Sequence, residues 1–69
     1  MSDKLRISLE AARVNAKLTQ SQACEALGIS LSTIIKWEHG KRLPPADKAM
    51  ELATLYGLKL DDINFCRES

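Results

Sequence analysis

Between Leu18 and Gly40 the apolar residues fall into two short groups at helical spacing, divided by a glycine. Ala23, Cys24 and Leu27 share one helical face, and after Gly28 and Ile29 the pattern resumes with Ile34 and Trp37. Each group has its own start signal. Thr19 stands three residues before Gln22, the arrangement of a capping box, and Ser30 precedes the second group as a helix cap. Two helices are predicted, over residues 20–27 and 31–39. Gly28 lies where the chain must leave helical geometry, and Gly40 lies at the second stop.

The flanks extend the same period. Ser8 precedes Leu9, Ala12, Val14 and Ala16, which predicts a first helix over residues 9–17 with Glu10 near its positive end. After Lys41, Arg42 and Leu43, Pro44 and Pro45 introduce a fourth helix, with Pro45 suited to its first turn. Ala49, Met50, Leu52, Ala53 and Tyr56 repeat along it until Gly57. Leu58, Leu60, Ile63 and Phe65 predict a short fifth helix with Asp61 and Asp62 in its first turn, and the tail from Cys66 to Ser69 is expected to fray. No strand pair, repeat or low-complexity segment is expected. The fold class is all-α: one domain over residues 1–69, with five helices around a core that includes Cys24, Leu27, Ile29, Ile34, Trp37, Leu52 and Ala53.

Composition narrows the function. A 69-residue chain that is 45% hydrophobic has room for one core, and a domain of this size buries about 60% of the surface its unfolded chain exposes. Ten basic and nine acidic residues give a formal charge of +1, so overall charge does not identify a polyanionic partner. Its distribution is more informative, because Lys36, Lys41 and Arg42 face only Glu38, whereas residues 46–69 are net acidic. Two widely separated cysteines and one histidine suit free thiols in a reducing compartment and no zinc site. No apolar run is long enough to span a bilayer, and no signal peptide is recognised, so the expected location is the cytoplasm. No nucleophile with an orienting base and no paired carboxylate cleft is apparent. An enzyme, a cofactor and a small-molecule ligand are therefore not expected.

If the face bearing Ile34 and Trp37 packs inward, then Leu31, Ser32, Thr33, Ile35 and Lys36 are left outside. A helix of this width fits the major groove of DNA, where Lys36 is suited to guanine, Ser32 to several base edges and Leu31 to a thymine methyl. Phosphate contacts are expected from Gln20, Ser30, Thr33, Lys41 and Arg42, at helix starts and in the basic loop. Trp37 is expected in the core and not as a base-stacking platform. The alternative is that Leu31 and Ile35 bind a partner protein.

The span Arg13…LTQ…LGIS…STI…WEHGKR…P…LA…YG…LDDI resembles the helix-turn-helix domain of lambda-type repressors, Cro proteins and many small bacterial and phage regulators. The resemblance covers about residues 7–65. It implies a five-helix bundle that binds an inexact palindrome as a homodimer, and transcription regulation as a phage or prophage Cro-like repressor or another small bacterial regulator. It also implies a phosphate contact at Gln20, base-facing positions at Leu31, Ser32 and Lys36, and a salt bridge between Arg13 and Glu38. Two positions depart from the family pattern. Lys17 stands where Gly is common, which implies a strained turn, and Lys59 replaces the usual Ser or Thr cap of the fifth helix. A single copy would contact few phosphates, so two copies on double-stranded DNA are expected, with Leu43, Leu58 or Phe65 as candidate contact residues.

Overall fold

A computed structural model describes residues 7–65. The readings for Cys66 and the tail, and the outer limits of the expected domain, lie outside these residues. The chain order is β1 (Ile7–Ser8), α1 (Leu9–Asn15), α2 (Gln20–Leu27), α3 (Leu31–Glu38), α4 (Ala46–Leu55), a 3-10 turn (Leu60–Asp62) and β2 (Ile63–Asn64).

Local chemistry accounts for the starts of the first three helices. Ser8 Oγ accepts from the Ala11 amide at 3.0 Å and caps α1. At α2 the capping box closes in both directions. The Gln22 amide donates to Thr19 Oγ1 at 3.0 Å, and the Thr19 amide donates to Gln22 Oε1 at 2.8 Å. Ser30 Oγ caps α3 through the Thr33 amide at 3.3 Å. Gly28 ends α2 in the left-handed region at φ 71°, and a Cβ there would meet no atom within 4 Å. Its backbone conformation, and not lack of space, selects glycine.

Eight-residue helices are marginal alone and depend on packing. Leu9 and Ala12 of α1, Ala23, Cys24 and Leu27 of α2, Ile34 and Trp37 of α3, Leu52 and Ala53 of α4, and Tyr56 and Ile63 form one buried cluster. Ile34 and Leu52 are wholly enclosed. Ile29, expected in the core, is half-buried and packs against its edge.

Several expectations are corrected. The fifth α-helix is absent among the described residues: a single 3-10 turn gives way at Ile63 to extended backbone (φ −111°, ψ 132°). Ile63 and Asn64 then pair in parallel with Ile7 and Ser8, forming a two-stranded connection where no strand pair was expected. The fold is therefore mostly helical, with four α-helices among the described residues. Ile63 still fills the core, so its apolar character was informative although its backbone state was not. Pro45 is the cap residue of α4 with ψ 160° and lies just outside its first turn. The first helix ends at Asn15, and Val14 and Met50 are exposed despite falling within apolar patterns.

The shortened α1 leads directly to Lys17, which adopts φ 62°. A β-carbon in this region is crowded by neighbouring backbone and costs about 1–2 kcal/mol. Lys17→Gly should relieve that cost, partly offset by glycine's greater freedom when unfolded. The expected net gain is about 0.5–1 kcal/mol, read as a higher urea midpoint with an unchanged slope.

Candidate nucleic-acid interface

The packing of α3 divides its residues into two groups. Ile34, Trp37 and Glu38 are buried, while Leu31, Ser32 and Lys36 are exposed, Leu31 at 45%. Ile35, expected on the outer surface, is half-buried and packs against the core. It lies one step from Ile34 and three from Glu38, so the inward arc of the helix draws it in. Thr33 is also half-buried.

The start of α3 carries three linked hydroxyls. Ser30 Oγ lies 2.8 Å from Thr33 Oγ1 and 3.3 Å from Ser32 Oγ. At the other end, Gly40 turns the chain into exposed Lys41 and Arg42. Thr33, Lys36, Trp37, Arg42, Leu43 and Pro45 line a recess of about 400 Å³, which brings three of the expected DNA-contacting residues to one hollow. Lys41 is exposed in the same loop but does not line the recess.

Beneath this surface lies a buried polar network. Arg13 Nε donates to Glu38 Oε2 at 2.7 Å, with side-chain exposures of 11% and 1%. Arg13 Nη1 donates to the Leu18 carbonyl at 2.9 Å, and Gln20 Nε2 donates to Glu38 Oε1 at 3.0 Å. Hydrogen bonding to Glu38, reinforced by its charge, outweighs the opposing effect of burial and raises the Arg13 pKa above its ordinary value, so the guanidinium stays charged. Gln20 is thus half-buried on Glu38 and does not extend freely from the head of α2.

Three further contacts had no signal in the residue pattern. Cys24 Sγ donates to the Ser30 carbonyl at 3.4 Å, joining α2 to the cap of α3. Burial, with a smaller effect of the Glu38 charge, pushes the Cys24 thiol pKa up and keeps it protonated. Lys48 Nζ reaches from α4 to the Leu27 carbonyl at 3.0 Å, placing a cation at the negative end of α2. The Leu18 carbonyl is the third, because a backbone acceptor leaves no mark in a sequence.

The helix-turn-helix family model matches residues 9–63. An uncharacterised HTH-type transcriptional regulator of Methanocaldococcus jannaschii is 41% identical over 46 residues, covering 67% of this chain and 70% of that protein. No solved structure matches at a significant level. The chain belongs to the helix-turn-helix family, in its Cro and repressor type, a class of DNA-binding transcription regulators. Among the described residues no helix is long and apolar enough to cross a membrane, and no group of His, Cys, Asp or Glu is placed to hold a metal ion.

The buried polar groups lead to two stability predictions, one from the network and one from Tyr56. Arg13→Ala leaves a buried carboxylate without its cation and should cost about 3–5 kcal/mol. Replacing both charges, as Arg13→Met with Glu38→Leu, should restore most of that loss, as read from urea unfolding. Tyr56 supplies the second prediction. Its hydroxyl is buried with no protein hydrogen-bond partner among the described residues, and burial, followed by the Glu38 charge, pushes its pKa from 10.0 up to about 12. Below pH 10 the phenol is neutral in both folded and unfolded chains. As pH rises toward 12 the unfolded chain ionises first, and the stability associated with Tyr56 is lost. Tyr56→Phe should therefore flatten the fall in urea midpoint over that window while leaving stability near pH 7 within about 1 kcal/mol.

Proposed function

We propose that this domain binds double-stranded DNA sequence-specifically by inserting α3 into the major groove, and that it regulates transcription by occupying an operator. The observation that carries this reading is the division of α3: Ile34, Trp37 and Glu38 anchor it, while Leu31, Ser32 and Lys36 remain exposed beside Lys41 and Arg42. Lys36 donates to guanine, Ser32 bonds to a base edge, and Leu31 meets a thymine methyl. Gln20, Ser30, Thr33, Lys41 and Arg42 hold phosphates on either side and fix the orientation of the helix. The name of the archaeal relative, a transcriptional regulator, supports the same assignment.

Two copies act together on an inexact palindrome. One copy presents few cations, and phosphate neutralisation dominates affinity at cellular salt. Half-sites about 34–36 Å apart place both α3 helices on one side of the duplex. Leu43, which is 63% exposed, is the favoured contact residue, because Leu58 and Phe65 are half-buried against the core of their own chain.

Selection from random duplex DNA should enrich a short two-fold motif, with binding that weakens as salt rises. On that duplex Lys36→Ala should change base preference, at about 1–3 kcal/mol for the base it reads. Lys41→Ala should instead weaken all sequences and lower the salt slope by about one. Failure to enrich a motif, or a Lys36→Ala variant with unchanged affinity and preference, would contradict the proposal.

A further inference from the structure

Gln20 is held by Glu38, and Glu38 is held by Arg13. The three side chains come from α2, α3 and α1, and the second anchor of Arg13 is the Leu18 carbonyl, two residues before Gln20. Neither Glu38 nor Arg13 behind it is exposed enough to serve as a principal DNA contact, since the Arg13 and Glu38 side chains are only 11% and 1% exposed. Their geometry nevertheless fixes the half-buried carboxamide at the head of α2. One Nε2 hydrogen is directed to Glu38 Oε1, which leaves the other for a second acceptor. The arrangement is also balanced in charge. A bare carboxylate here would repel a nearby phosphate, but Arg13 Nε lies 2.7 Å from Glu38 Oε2 and offsets it.

We infer that Glu38 is a positioning residue for DNA binding: its buried carboxylate orients the Gln20 carboxamide toward a backbone phosphate, and Arg13 cancels the repulsion that carboxylate would otherwise exert. This rests on the proposed phosphate contact of Gln20. A flexible glutamine would have to be immobilised when DNA arrives, whereas one already hydrogen-bonded has lost much of that freedom during folding.

A binding cycle on the selected duplex tests the inference. Gln20→Ala should weaken binding about tenfold in the parent, the loss of one phosphate hydrogen bond. In the Arg13→Met/Glu38→Leu background, where nothing orients the carboxamide, the same change should cost about threefold or less. In Arg13→Met/Glu38→Gln the side chain at 38 again offers an oxygen to Gln20 Nε2, and the cost should return toward tenfold. A purely structural role for Glu38 would not produce that return. An equal Gln20→Ala cost in all three backgrounds would overturn the positioning role and leave the phosphate contact standing. No cost in the parent, with Lys41→Ala still weakening binding, would overturn the Gln20 contact and the inference with it. The unaltered protein offers a check that does not depend on any variant folding. Side-chain amide relaxation by NMR should show Gln20 Nε2 restricted before DNA is added, and a freely mobile carboxamide would contradict the inference.

Discussion

The Glu38 carboxylate is the constraint around which the proposed interface is organised. A charge whose side chain is 1% exposed must be compensated inside the protein, and the groups that compensate it come from separate parts of the chain. Arg13 brings α1, Gln20 brings the first residue of α2, and Glu38 itself belongs to the last turn of α3. Apolar burial supplies the driving force for the bundle but has little directionality. Hydrogen bonds of 2.7–3.0 Å to the carboxylate select one arrangement of those helices. Surface chemistry and core specificity therefore meet in one residue, since Gln20, at the edge of the proposed DNA surface, is also part of the buried network.

Near-neutral overall charge is compatible with binding DNA because the charges are unevenly placed. Lys36, Lys41 and Arg42 cluster at the exposed end of α3, while Asp47 and Glu51 line an apolar groove of about 590 Å³ between α2 and α4. The proposed DNA surface and this groove use different residues, so these cations and carboxylates act on separate parts of a small domain.

The sequence was most informative where local chemistry decides the structure. Thr19 with Gln22, Ser30 and Gly28 marked the bounds of the two central helices because caps and left-handed turns depend on particular side chains. Ile34 and Trp37 marked the inward face of α3, but Ile35, at the margin of that face, was misplaced because a helical arc has no sharp edge. The segment around Ile63 was misread for a different reason. Two residues are too few to show a strand period, and their partners, Ile7 and Ser8, lie at the opposite end of the chain. Lys17 showed that an atypical residue can signal strain correctly: the left-handed turn is retained with a side chain that does not favour it. The link between Arg13 and Glu38 was read from family resemblance. The bond from Gln20 to Glu38 was not read at all, because an eighteen-residue separation carries no periodic signal.

The central claim is that a scaffold organised on Glu38 presents the head of α2, the outer face of α3 and the loop after Gly40 to one duplex. Backbone amide chemical-shift mapping during titration with the selected DNA tests it most directly. The account predicts perturbations concentrated at Gln20, residues 30–36, Lys41 and Arg42, with little change at Met50 and Leu55 in the groove between α2 and α4. Perturbations confined to that groove, with residues 30–36 unmoved, would contradict it.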